Sequence, residues 1–161
     1  MKTKQLLLLI GAVLIIALIF FCVYWDIKFK NENNRQIHDH EEIKYTLLNN
    51  EFIFEVVTTD ESRTQGLSGR KEMLNDGMLF IFEKELRPYF WMKDMNFPLD
   101  FLWLRNDCVV ELTPNVGIEN KKKTFRPQQL VTSVLETKAG FIDQYNIEIG
   151  DCLNFASYGY R

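Results

Sequence analysis

The chain has 161 residues, a formal net charge of −3 and 47% hydrophobic side chains. That length suits one domain plus an accessory segment, and the slight acidity supplies no field that would gather nucleic acid. Three cysteines are too few to build a disulfide framework.

Residues 6–25, LLLLIGAVLIIALIFFCVYW, carry no charged side chain. As a helix rising about 1.5 Å per residue, such a run spans the roughly 30 Å hydrocarbon core of a bilayer. Lys2 and Lys4 precede it, and Trp25 closes it where an indole fits the headgroup layer. A cleaved signal peptide has a shorter apolar core and a small-x-small cleavage site, whereas this run ends in Phe20-Phe21-Cys22-Val23-Tyr24-Trp25. Bulky Phe21 also fits poorly before a lipidated Cys22. The expectation is an uncleaved transmembrane anchor over residues 1–26, with the membrane itself as partner through residues 6–25. Lys28, Lys30 and Arg35 nearly balance the positive charges in front of the run. The short N-terminal tail nevertheless favours a single-pass protein of the cytoplasmic membrane with its C-terminal domain outside the cytoplasm.

Residues 27–42, IKFKNENNRQIHDHEE, are polar and charged and read as a flexible stalk. His38 and His40, with Asp39, Glu41 and Glu42, offer metal-binding side chains. A solvated linker does not fix ligands at one point, so no metal site is expected.

From residue 43 onward short apolar segments alternate with turn signals. Ile43–Leu48 and Phe52–Thr58 read as strands joined at Asn49-Asn50. Thr58 and Glu61 have capping-box spacing and open a short helix that Gly66 ends. Asp76-Gly77 turns into Met78–Phe82, followed by Tyr89–Met92, Leu99–Arg105, a turn at Asn106-Asp107, and Cys108–Leu112. Residues 114–128, with Lys121-Lys122-Lys123 and two prolines, read as an exposed loop. Val131–Glu136 is a strand, Lys138-Ala139-Gly140 leads into a second short helix ending near Asn146, and Cys152–Phe155 is a last strand. The expected fold class is α+β, mainly β. It is a small barrel-like domain over residues 43–161, of short, mostly antiparallel strands with two short helices, preceded by one transmembrane helix. Phe80, Phe82, Phe97, Phe101 and Trp103 are spaced for sheet faces and belong to the core. Met73, Met78, Met92 and Met95 read as packing residues rather than soft-metal ligands. Cys108 and Cys152 leave two readings open: a bridge, which an extracytoplasmic location permits, or two small buried hydrophobes.

The succession Arg63-x-x-Gly66-Leu67, Gly77-Met78-Leu79-Phe80-x-Phe82, Phe90-Trp91-Met92-Lys93 and Pro98-Leu99-Asp100 resembles the family called domain of unknown function 192. Val109-Val110, Val134-Leu135-Glu136, Ala139-Gly140 and Ile147-x-x-Gly150-Asp151 follow in order, so the likeness runs over roughly residues 50–156. The resemblance implies a small, mainly β, often exported prokaryotic domain without an established activity. It departs from the family pattern in the lysine-bearing loop 114–128.

The residue inventory excludes much chemistry. Residues 43–161 contain no histidine, which removes Ser-His and Cys-His pairs and His-containing metal sites. There is no C-x-x-C, no phosphate-binding loop and no dinucleotide fingerprint, and no cofactor is expected. The remaining polar set among aromatic neighbours is Arg63, Trp91, Lys93, Asp100 and Glu136. Strand alternation puts Tyr89, Trp91 and Lys93 on one face, with Phe90 and Met92 on the other. Asp100, in an apolar run, needs a partner: Lys93, Arg63 or backbone N–H groups. The leading reading is a membrane-tethered binding or interaction module, in which Arg63 and Lys93 hold an anionic group of a small ligand and Trp91 stacks on it. The first alternative is an enzyme using Asp100 or Glu136 as acid/base group on an envelope polymer or small molecule. The second is a structural subunit without ligand that contacts an envelope protein.

Overall fold

The computed structural model describes residues 14–25 and 37–155. They divide into two units between Gln36 and Ile37. In the first, residues 14–25 are helical (α1). Residues 6–13 of the expected span lie outside the described residues, and among the described residues no helix is long and apolar enough to cross a membrane.

The second unit is built on a seven-stranded sheet. Its strands are β1 (Glu41–Leu47), β2 (Asn50–Val57), β3 (Gly77–Leu86), β5 (Leu99–Arg105), β6 (Cys108–Val116), β8 (Val131–Lys138) and β9 (Asn154–Phe155). Two-residue strands β4 (Phe90–Trp91) and β7 (Thr124–Phe125) form a separate pair. Helices α2 (Asp60–Gln65) and α3 (Phe141–Tyr145) and a 3-10 turn at Ile118–Asn120 complete it. The spatial order is β6-β5-β8-β3-β2-β1-β9. The expected barrel does not close, because the ladder ends at β6 on one side and at the very short β9 on the other.

Local chemistry explains most elements. The β1–β2 turn falls on Leu48-Asn49 rather than Asn49-Asn50, both with positive φ, since Leu47 pairs with Asn50. Asn106-Asp107 makes the equivalent turn between β5 and β6. β2 pairs parallel to β3, which requires a crossover, and α2 supplies it. The capping box of α2 is Thr59 with Ser62, one residue on from the expected Thr58 and Glu61. Asp39 sets that register: its carboxylate accepts from Thr58 N–H at 2.7 Å and from Ser62 Oγ–H at 2.8 Å. Burial pushes this carboxyl up, but the bonds from Thr58, Ser62 and Thr59 and the nearby His40 outweigh it and hold it at about 2.

The expected stalk therefore loses its last residues to the domain. Ile37 packs on the core, His40 Nδ1 lies 2.8 Å from Glu55 Oε1, and Glu41 begins β1. Residues 26–36 lie outside the described residues. The expected loop 114–128 is likewise partly ordered into strands. Val116 still pairs with Leu99, and Thr124–Phe125 pairs with β4. Its lysines remain exposed, with Lys123 over the Phe125 ring at 4.9 Å.

Central strands β5, β8 and the start of β3 are buried on both faces, so apolar residues run continuously rather than alternating. One face carries Phe54, Leu102, Leu135 and the α3 residues Phe141 and Ile142. The other carries Phe80, Phe90, Phe101, Trp103, Val134 and all four methionines named above. Burial at 6% or less places those methionines in packing, as their aromatic neighbours suggest. Cys108 and Cys152 are half-buried and joined by a disulfide.

Candidate functional site

On the second face the sheet leaves a cavity of about 160 Å³ beneath α2 and β4. Phe80 and Phe90 are among its lining residues, Trp91 and Tyr89 stand beside them, and Glu136 lines it from β8. A shallower groove continues past Trp91 along Asp60, Glu61, Lys93 and Asp94.

Each wall has a local cause. Phe90 turns inward, edge-on to Phe80 at 4.9 Å and to Trp103 at 5.5 Å, while its neighbour Trp91 turns outward and is 41% exposed. The buried anchors Met92 and Met95 hold the following loop down. That loop is tied to the end of α2: Ser68 Oγ donates to the Lys93 carbonyl at 3.0 Å, and Gly69 N–H donates to the Asp94 carbonyl at 2.8 Å. Gly66 ends α2 with φ +48°, and a Cβ there would sit 3.3 Å from the Phe80 ring. Gly77 lets β3 approach β8, because a Cβ would meet the Glu136 carbonyl at 2.6 Å.

The five candidate residues separate. Arg63, Trp91 and Glu136 line the cavity, and Lys93 lies in the adjoining groove. Asp100 belongs elsewhere. Strand register sets Asp100 opposite Thr137 and Phe101 opposite Glu136, so the two carboxylates project from opposite faces of the sheet. Asp100 is fully buried and pairs with neither Lys93 nor Arg63. Its Oδ1 accepts from Asn115 N–H at 2.7 Å, and its Oδ2 accepts from Ile142 N–H at 2.9 Å. It caps α3 from a neighbouring strand, a task that Gly140 at the helix start has no side chain to perform.

Arg63 is also committed. Its guanidinium donates to the carbonyls of Thr58 and of Ile81, the latter at 2.8 Å, pairs with Asp60 at 2.6 Å, and lies over the Phe82 ring at 5.4 Å. It fastens α2 to β2 and β3 and leaves little capacity for an anion. Glu136 has the opposite character. It is 4% exposed, no described group hydrogen-bonds its carboxyl, and burial pushes it up to about 8. A neutral acid therefore faces the cavity at physiological pH. Of the rings beside it, the sequence points to Phe80 and Phe82 as core residues and to Trp91 as a site residue. The signal that would have joined them is the pairing of Phe80 with Val134, which puts Phe80 and Glu136 on one face.

Among the described residues no group of three His, Cys, Asp or Glu side chains converges to hold a metal.

The family model of domain of unknown function 192, described as Uncharacterized ACR, matches residues 43–155. A crystal structure from Sinorhizobium meliloti 1021, described as a candidate transcription regulator, is similar at 25% identity and TM-score 0.68, covering 76% of this chain and 100% of that one. A protein of unknown function from Novosphingobium aromaticivorans DSM 12444 is similar at 22% identity and TM-score 0.66, with 75% and 90% covered. No protein of curated function matches.

Proposed function

This chain belongs to the domain of unknown function 192 family, and from that premise we infer that its globular unit is a binding module whose site is the cavity at Trp91. The observation that carries the reading is an exposed indole beside an aromatic-walled cavity with an unpartnered buried carboxyl in its lining. A purely structural cluster would be filled and dry. Concave apolar sites with a few polar groups are the usual form of small-ligand pockets. An enzyme using Asp100 as its acid/base group is disfavoured, since that carboxylate is spent on backbone groups on the opposite face of the sheet from the cavity. Regulation through nucleic acid is disfavoured by the groove, where Asp60, Glu61 and Asp94 outnumber Lys93.

The module is tethered by residues 6–25 and displayed outside the cytoplasm. Two observations support that placement: the uncharged run itself and the Cys108–Cys152 bridge, which persists in oxidising compartments. Fragment titration of the detergent-solubilised full chain tests the binding reading. The Trp91 indole N–H resonance, assigned with a Trp91→Phe variant, is expected to shift with small ring-bearing compounds while that of buried Trp103 stays fixed. Indifference of Trp91 to a diverse fragment set would overturn it.

A further inference from the structure

We infer that the cavity selects an organic ammonium group, seated against the Trp91 indole with its nitrogen facing the Glu136 carboxylate. This deepens the binding reading above and rests on it. The first argument is the rings. The faces of two lining rings already hold cations: Arg126 lies over Tyr89 at 4.5 Å and Arg63 over Phe82 at 5.4 Å. Among the described residues no cation covers Trp91, the strongest cation–π acceptor of the set.

The second argument is the buried acid. Glu136 is 4% exposed and no described group hydrogen-bonds its carboxyl, so it lacks the counter-charge that would let it ionise. An entering ammonium supplies that charge, and a primary one supplies N–H donors as well. The third is local charge. Asp60 and Arg63 offset one another in their ion pair, which leaves Glu61 and Asp94 against Lys93 in the groove and Glu136 as the acid of the cavity. An anion would meet this acidic balance, and an uncharged ligand would leave the Glu136 carboxyl protonated.

Binding then carries a proton balance. Below about pH 8 the neutral Glu136 carboxyl releases one proton to solvent as the ammonium enters, and no covalent bond to carbon changes. The other titratable groups lining the cavity are Asp60, Arg63 and Tyr89, the first two held in their ion pair.

Three compounds with one tert-butyl frame separate the outcomes: neopentylammonium, neopentyl alcohol and pivalate. They are titrated into the full chain in uncharged detergent, with the Trp91 indole resonance as readout. Neopentylammonium is expected to bind at least about tenfold more tightly than the alcohol, and to tighten as pH rises from about 6 to about 8. Glu136→Gln should bring the ammonium down to the affinity of the alcohol, with the Trp103 resonance reporting an intact fold. If that variant does not fold, Glu136→Asp and the pH dependence of the native chain carry the same test. Equal or tighter binding of alcohol or pivalate overturns the ammonium inference while the pocket stands. A Trp91 resonance unmoved by all three sinks both.

Discussion

Asp100 and Glu136 show how one functional group, the carboxyl, takes two roles from its surroundings. Asp100 accepts two backbone N–H bonds in a fully buried position. Replacing it with Ala strands both donors without water, and we expect a loss of about 3–5 kcal/mol in denaturant unfolding. Asp100→Asn sets an NH₂ group against one of those N–H groups, with about 2–3 kcal/mol lost. A stable Asp100→Asn protein would remove Asp100 from the structural role. Glu136 predicts the opposite sign. Its carboxyl is raised from 4.5 to about 8 in the folded chain, so the folded state holds a proton that the unfolded state gives up. The Glu136 contribution to stability is full below about pH 4.5 and falls as pH rises toward 8, by at most about 1.4 kcal/mol per pH unit. Glu136→Gln should flatten that alkaline limb and melt higher than the native chain above pH 8. An unchanged limb would show that Glu136 ionises freely. Neither role was visible in sequence. The run Phe97–Leu104 shows that Asp100 needs partners, but which face of the sheet it shares depends on the register between β5 and β8, set by pairs as distant in sequence as Asp100 and Thr137.

At the scale of elements, the hairpins and the aromatic alternation were legible because they rest on local rules. Asn106-Asp107 tolerates positive φ, and exposure alternates from Tyr89 to Met92 about the two-residue strand β4, shorter than the expected Tyr89–Met92. The parallel β2–β3 pair, the reach of β6 into the expected loop and the β4–β7 pair were not, because each depends on a distant partner. The start of α2 is the clearest case. Local spacing chose Thr58 and Glu61, yet Asp39, some twenty residues upstream, moved the cap to Thr59 and Ser62. Asp39 therefore joins the chain's entry into the domain to the helix that roofs the cavity. Its folded carboxyl, at about 2, lies below the ordinary 3.8. The stability it adds is present above pH 3.8 and is lost as pH falls toward 2. Asp39→Ala should cost about 1–2 kcal/mol at neutral pH and shrink the acid limb of the stability profile. Because α2 carries Asp60 and Arg63, the same variant should also weaken fragment binding at Trp91. Equal stability of variant and native chain at neutral pH would show the cap to be dispensable.

At the scale of the whole molecule, the open sheet raises the question of what protects its two ends. β9 contributes only Asn154 and Phe155, paired with Thr46 and Tyr45, too little to hold on its own. The segment before it is fastened to the other end of the sheet. Val109 N–H donates to the Asp151 carbonyl, Gly150 N–H to Val109, and Leu153 N–H to Asp107, each at 2.8 Å. The Cys108–Cys152 disulfide locks this strap across a sequence separation of 44 residues. Closing a loop of that length removes unfolded-state entropy equivalent to about 4 kcal/mol. Reduction, or the Cys108→Ser/Cys152→Ser variant, should therefore lower the unfolding free energy by that order and the denaturant midpoint with it. It should also release Leu153–Phe155 to rapid amide exchange, baring β1 and β6 as edges that invite association. A domain that matures in the cytosol would lose this strap to cellular reductants. The stability difference is thus also a test of placement. Coincident unfolding curves with and without reductant would leave the bridge no structural task and remove one of the two supports for an extracytoplasmic domain.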